Sequence, residues 1–142
     1  LLPGFKYNMS DLQAAMGQAQ LGRLEAMQAR RRAVVARYLE AFADLDAIEL
    51  PVSRPQVEHA WHLFVVRLRP GTLTIGRDAV IDALTAQNIG TSVHFIPVHV
   101  HPYYRDKYGF APTDFPVAHD AWERMLSLPL NARHTDADVE DV

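Results

Sequence analysis

The feature that most constrains the fold is a long amphipathic segment that opens with a helix-capping signal. Ser10 is followed three residues later by Gln13, the capping-box pattern in which each side chain satisfies a backbone group at a helix start. Asp11 then suits the positive end of the helix dipole. Apolar residues recur at helical spacing over residues 11–42, which corresponds to about eight turns. The pattern predicts one continuous helix that leads into the rest of the chain.

The remainder of the chain consists of short strand and helix patterns separated by prolines and glycines. A loop with two prolines, residues 50–55, ends the helical arm. The predicted strands are residues 61–68, 91–95 and 126–128, and the predicted helices are residues 77–87, 103–108 and 115–125, with a further capped helix that begins after Thr135. This order predicts an α+β fold, in which a small three-stranded antiparallel sheet carries helices on one face.

Composition excludes several classes of protein. With 142 residues, 49% of them hydrophobic and 22% charged, the chain has the size and composition of a globular domain. Its net charge of -3 gives no reason to expect nucleic acid as a partner. The absence of cysteine excludes disulfides and thiol chemistry. No apolar run is long enough to span a membrane and no signal peptide is visible, so we expect a cytoplasmic location.

The side chains best suited to chemistry are the histidines and tyrosines of residues 91–104. In an extended segment, alternation places Ser92 and His94 on one face. Prolines stiffen the backbone beside these polar rings and hydroxyls, a combination suited to holding a sugar or nucleotide by hydrogen bonds and stacking. The residues of this candidate pocket are His94, His99, Tyr103 and Tyr104.

Other interpretations of the same residues stay open from the sequence alone. His94, His99 and His101 would form a metal site, although no carboxylate or cysteine ligand lies near them in the sequence. They would equally pack and cap locally without a ligand. Residues 30–32 are three consecutive arginines. They would either bind a phosphate or form exposed ion pairs, and the second is commoner on a long helix.

Four blocks of sequence, in order over nearly the whole chain, resemble one known family. Residues 4–17 read GFKYNMSDLQAAMG, and residues 90–104 read GTSVHFIPVHVHPYY. Two further blocks are AWHLF at residues 60–64 and LSLPL at residues 126–130. In this order they resemble the C-terminal part of the DegT/DnrJ/StrS sugar aminotransferases, which use pyridoxal phosphate (PLP). The resemblance implies the C-terminal small domain of a fold type I PLP-dependent transferase.

The resemblance also implies a reaction and a partner. Enzymes of this family act as homodimers with active sites built from both subunits, and they move an amino group, usually from glutamate, to the keto carbon of a nucleotide-linked sugar. By resemblance, Asn8 would reach across the dimer interface to the PLP phosphate, which agrees with polar donors placed before a helix N-terminus. Lys6 and Tyr7 would lie beside it as further cofactor-binding residues.

On the substrate side, the resemblance assigns a role to the second block. The side chains that would line the entry of the sugar nucleotide are His94, Phe95, His99 and Tyr103. His101 departs from the family pattern, because many relatives carry glutamine before the proline, so its contribution to substrate choice stays open.

The two lysines of the chain bear on catalysis. PLP enzymes need a lysine that forms the Schiff base, and in this family it precedes the block that begins at Gly4. The chain has only Lys6 and Lys107, and Lys107 lies in a polar segment that we expect to be exposed. No catalytic residue is therefore assigned. The chain is expected to be inactive alone, as one part of an aminotransferase of amino-sugar, lipopolysaccharide or cell-surface polysaccharide biosynthesis.

The domain organisation expected from these patterns is a single C-terminal domain. It would comprise a motif loop at residues 1–10, a helical arm at residues 11–43 and an α+β body at residues 60–142. Both ends of the sequence resemble the ends of a fragment and not natural termini. A regulatory or interaction module is the other class of function that stays open, since some family members carry names that imply pleiotropic regulation.

Overall fold

The computed structural model describes residue 5 and residues 7–142. The helices are α1 (Asp11–Leu21), α2 (Leu24–Ala41), α3 (Arg77–Ala86), α4 (Pro102–Tyr108), α5 (Pro116–Arg124) and α6 (Asp136–Glu140). The strands are β1 (Ile48–Glu49), β2 (Phe64–Leu68) and β3 (Met125–Leu128). Two short 3-10 turns, Val98–Val100 and Pro112–Asp114, precede α4 and α5. Within this described part of the chain, none of the helices has the length and apolar content needed to cross a membrane.

The three strands form one antiparallel sheet with β2 in the centre. Ile48 of β1 pairs with Leu68 of β2, and Phe64 at the other end of β2 pairs with Leu128 of β3. The predicted α+β fold with a three-stranded antiparallel sheet is therefore confirmed.

One strand of the sheet differs from the prediction. The prediction of a strand at residues 91–95 is wrong, because this segment meets β3 only through a single bridge between Ser92 and Ser127. The chain then leaves the sheet edge, and Pro97, which has no N–H to extend a ladder, leads into the turn Val98–Val100. The third strand is instead β1, a two-residue element within the region expected to connect the helical arm to β2.

The predicted continuous helix over residues 11–42 is also wrong, because it divides at Gly22. The Gly22 N–H donates to the carbonyl of Gln18, and the Arg23 N–H donates to the carbonyl of Gln20 in a tighter three-residue turn. Glycine is among the weakest helix formers, so a break in the helix at Gly22 loses less helix-forming free energy than a break at another residue type. The result is an α1 with no buried residue and an α2 that packs on the sheet.

The core forms between α2 and the sheet. Tyr38 of α2 is 1% exposed, and its ring lies 5.2 Å from that of Phe64. Its hydroxyl donates a 2.9 Å hydrogen bond to the carbonyl of Pro129, and burial raises the pKa of the Tyr38 phenol. Alternate residues of β2 face this core because successive side chains of a strand point to opposite sides. As predicted, α3 contributes its inward side chains Val80, Ile81 and Leu84.

An arginine joins α5 to the sheet. The side chain of Arg124 is 19% exposed, and its guanidinium lies 2.6 Å from Asp120 and 2.9 Å from Glu49. It also donates a 3.0 Å hydrogen bond to the carbonyl of Leu68. These hydrogen bonds to Arg124, reinforced by its charge, hold the pKa values of Asp120 and Glu49 below their ordinary range. Helix α5 and strands β1 and β2 thus share one electrostatic contact.

We predict that the free energy of unfolding falls in acid through this contact. Because folding lowers the pKa values of Glu49 and Asp120, their stabilising effect is complete above about pH 5 and is lost as the pH falls through the lowered values. Arg124→Gln removes both ion pairs of Arg124 and is expected to reduce the acid dependence. The part that Glu49 keeps through its 2.7 Å ion pair with Arg67 remains, as does that of other carboxyls such as Asp136. Urea unfolding between pH 7 and pH 3 measures the effect.

A matched control is Arg105→Gln. It removes only the contact between Arg105 and Asp106, two exposed side chains of α4, and is expected to keep the acid dependence of the parent protein. An equally steep acid dependence in Arg124→Gln and in the parent would contradict the prediction.

Candidate functional site

The N-terminus of α1 presents unsatisfied donors. The predicted capping box is present: the Gln13 side chain accepts from the Ser10 N–H at 2.9 Å, and the Ser10 hydroxyl accepts from the Gln13 N–H at 3.4 Å. The first four N–H groups of an α-helix have no acceptor within the helix itself. Those of Asp11 and Leu12 have no acceptor among the residues that the structure describes. Asn8 lies directly in front of them in the chain and is exposed.

Two predicted cofactor-binding residues border an open depression of about 470 Å³. It is lined by Tyr7, Asn8, Met9 and Gln13. An amide, a phenol hydroxyl and the positive end of a helix dipole together suit a phosphate. Lys6, the third predicted cofactor-binding residue, lies outside the described residues.

His94 is held against β3 by a buried serine. Its Nδ1 lies 2.9 Å from the hydroxyl of Ser127, which is 4% exposed. The backbones of Ser92 and Ser127 exchange hydrogen bonds of 3.3 and 2.7 Å, so the two segments lie side by side. The contact with Ser127 leaves Nε2 of His94 for a ligand.

Phe95 and Tyr103 point outward. Phe95 is 72% exposed, and its ring meets that of His94 edge-on at 4.8 Å. Tyr103 of α4 is 62% exposed, and its ring lies 5.2 Å from that of Tyr104. Within residues 7–142 no aromatic contact joins the pair formed by His94 and Phe95 to the pair formed by Tyr103 and Tyr104. His94, which is half-buried, and exposed Phe95 therefore form one pair, and exposed Tyr103 forms a separate pair with Tyr104.

His99, the fourth predicted substrate-binding residue, is buried. Its ring is 6% exposed, stacks on that of Phe115 at 4.9 Å and lies 5.7 Å from that of His119. Its Nε2 is buried with no hydrogen-bond partner, as are Nδ1 of His119 and Nε1 of Trp122. Its role in substrate binding stays a prediction. Sequence reasoning missed this aromatic cluster, although the spacing of Phe115, His119 and Trp122 places them on one side of α5.

The metal-binding interpretation gains no support from the geometry. Over the described part of the chain, no group of three or more histidine, cysteine, aspartate or glutamate side chains is arranged to hold a metal ion. The ring of His99 faces the interior, whereas His101 is exposed at the start of α4.

The three consecutive arginines of α2 contact different partners. Arg30 pairs with Asp136 of α6 at 2.8 Å, and Arg32 pairs with a carboxylate of the loop before β2 at 3.0 Å. Arg31 instead donates to the carbonyl of Trp61 at 3.4 Å. The ion-pair interpretation of this cluster is confirmed for Arg30 and Arg32 and does not describe Arg31.

Comparison with known proteins identifies the family. Over residues 1–142 the chain matches the model of the DegT/DnrJ/EryC1/StrS aminotransferase family, and it belongs to that family. It is 47% identical over 141 residues to the spore coat polysaccharide biosynthesis protein SpsC of Bacillus subtilis, a match that covers 99% of this chain and 36% of SpsC.

Two solved structures share the fold. A Streptococcus pneumoniae protein described as a sugar aminotransferase, in its PMP form, is 30% identical with a TM-score of 0.87, and the match covers 99% of this chain and 35% of that protein. DesV of S. venezuelae, in complex with a ketimine intermediate, is 31% identical with a TM-score of 0.83, and the match covers 94% of this chain and 34% of DesV. The chain thus spans about a third of the length of these relatives. The Streptococcus protein has also been solved in a PLP form.

We predict that Ser127 fixes the ring of His94. Ser127→Ala leaves Nδ1 of His94 without its partner, so a mixture of ring tautomers is expected, together with a loss of about 1 kcal/mol in the free energy of unfolding. Nitrogen-15 NMR of the ring measures the tautomers. The control is Ser53→Ala, whose exposed hydroxyl makes only a 3.5 Å contact with a carbonyl. An unchanged ring spectrum in Ser127→Ala would rule the contact out.

Proposed function

We propose that residues 1–142 form the C-terminal domain of a PLP-dependent aminotransferase that acts on a nucleotide-linked keto-sugar. The amino donor is expected to be glutamate. Membership of the family and the likeness to sugar aminotransferase structures support the reaction class. The description of SpsC supports a place in cell-surface polysaccharide biosynthesis. The structural observation that carries the proposal is the set of unsatisfied donors beside Asn8 at the start of α1.

These donors fit the phosphate group of the cofactor. The Asn8 amide and the N–H groups of Asp11 and Leu12 would donate to phosphate oxygens, and the α1 dipole favours their negative charge. The Tyr7 hydroxyl would add a further donor at the same depression. The carboxylate of Asp11 opposes an anion there, so the amide and backbone donors have to outweigh it. When bound, PLP acts as the electron sink for the amino-transfer chemistry.

The second group of residues is proposed to hold the sugar nucleotide. Ser127 orients the ring of His94, whose Nε2 would hydrogen-bond a hydroxyl of the substrate. The exposed rings of Phe95 and Tyr103 would stack on a sugar or a base. His99 would support this surface from the interior through its stacking on Phe115.

The active site is proposed to be completed by residues outside this chain, in a homodimer that shares its sites. Helix α1 supports this, because it buries no side chain and leaves Leu12 80% and Met16 70% exposed. Apolar surface of this kind is typical of a face that another protein surface covers.

The chain alone is proposed to lack the Schiff-base lysine. Lys107 is exposed on α4, where its ammonium donates to the Tyr103 hydroxyl at 2.9 Å and lies 5.4 Å from the ring of Tyr108. It is not among the residues that line the depression beside Asn8. The ammonium of Lys107 thus contacts two tyrosines of α4 and has no contact with the residues of the proposed phosphate site.

Borohydride trapping tests this assignment. The 142-residue protein is incubated with PLP, reduced and digested, and the modified lysines are quantified by mass spectrometry. We expect labelling of Lys107 well below one group per chain, because its ammonium contacts two tyrosines and does not line the depression beside Asn8. Lys107→Arg is the control for random surface labelling. One phosphopyridoxyl group per chain on Lys107, absent in Lys107→Arg, would overturn the assignment.

The role of Asn8 is testable in a longer polypeptide that contains residues 1–142 and a Schiff-base lysine. Asn8→Ala is expected to raise the dissociation constant for PLP about tenfold, or ~1.4 kcal/mol, because a donor to a charged phosphate is lost. Asn8→Asp is expected to weaken binding further, since its carboxylate repels the phosphate. Cofactor absorbance measures both. Gln18→Ala, an exposed amide further along α1, is the control, and unchanged affinity in Asn8→Asp would contradict the role.

A further inference from the structure

A second concavity, of about 440 Å³, lies where α1 and α2 meet. One wall comes from the break between the two helices and the first turns of α2, and the other from the segment that follows β3. Its polar lining side chains are Gln20, Arg23, Arg31, Asn131 and Arg133, and no carboxylate lines it. The volume is in the range of small-molecule sites in proteins.

The positive charge of this concavity is uncompensated. Over the described residues, seven arginines form ion pairs with carboxylates. Arg23, Arg31 and Arg133 are not among the seven. The Nε of Arg31 is buried with no hydrogen-bond partner, although its NH1 reaches the carbonyl of Trp61. A guanidinium carries five N–H donors, so the contact of Arg31 with Trp61 leaves further donors of the same group for a ligand in the concavity.

The neighbouring amide is also oriented as a donor. The Oδ1 of Asn131 accepts the N–H of Arg133 at 3.0 Å, which leaves the side-chain NH₂ of Asn131 to donate elsewhere. The concavity therefore combines three guanidinium groups with an amide donor, and Met27 adds an apolar part to its wall. Guanidinium groups match phosphate oxygens with two parallel hydrogen bonds, and a site rich in donors selects an anion with several acceptor oxygens.

We propose that this concavity binds a phosphate-class oxyanion, the phosphoryl or pyrophosphoryl group of a small molecule, through Arg31, Arg133 and Arg23. The inference goes beyond the proposed function and uses none of the residues on which that proposal depends. Asn131 supplies a neutral donor, and Gln20 borders the site from the end of α1.

Titration of the 142-residue protein with sodium phosphate, and separately with pyrophosphate, tests the site. Ionic strength is held constant, and amide chemical shifts and the melting temperature are recorded. Saturable shifts are expected at residues 20–31 and 131–133, with a rise in the melting temperature. Tighter binding of pyrophosphate would assign a pyrophosphoryl ligand, and equal affinities a single phosphoryl group. Sodium chloride at matched ionic strength is expected to cause neither effect.

The variant for this test is Arg133→Gln, because Arg133 is exposed and its removal leaves the core intact. It is expected to weaken the affinity for either anion about tenfold. The matched control is Arg54→Gln, an exposed arginine outside the concavity that also forms no ion pair among the described residues, and its affinity is expected to equal that of the parent. Equal affinity in Arg133→Gln, no saturable binding, or shifts confined to residues 7–13 would overturn the proposal. Shifts at residues 7–13 would instead support the phosphate site beside Asn8.

Discussion

The packing of Tyr38 between α2 and the sheet is the contact on which the rest of the structure depends. Its ring fills the space beside Phe64 in the centre of the sheet, and its hydroxyl satisfies the carbonyl of Pro129 just beyond β3. A phenol buried to this extent combines a large apolar area with a hydrogen bond that water cannot replace. One side chain thereby fixes where α2 lies and where the chain goes after β3. Ser127, which contacts His94, precedes Pro129 in the chain, and the segment that carries Arg133 follows it.

The elements that sequence reasoning found are those with local chemical signals. The Ser10 and Gln13 capping box and the inward face of α3 follow from residue spacing, because a cap and a helix face depend on residues three or four positions apart. Strands β2 and β3 follow instead from their apolar composition. The two-residue strand β1 was missed because its position is decided by pairing with β2 and not by its own composition.

Other differences have the same origin in tertiary contacts. Segment 91–95 has the composition of a strand, yet only Ser92 finds a partner there. Asn8 was predicted from the family resemblance, and His94 from its residue type as well as from the resemblance. The burial of His99 depends on Phe115 and His119, which are remote in the sequence, so no local pattern could have shown it. The arginine concavity likewise joins residues about a hundred positions apart.

The division of the helix at Gly22 has an energetic consequence. Because α1 buries no side chain, whereas α2 supplies Val34, Val35 and Tyr38 to the core, the two halves of what the sequence presents as one helix belong to different cooperative units. The free energy that holds the sheet together is almost independent of whether residues 11–21 are helical. Substitutions in α1 are therefore constrained by what that helix contacts and by its cap, while substitutions in α2 are constrained by folding itself.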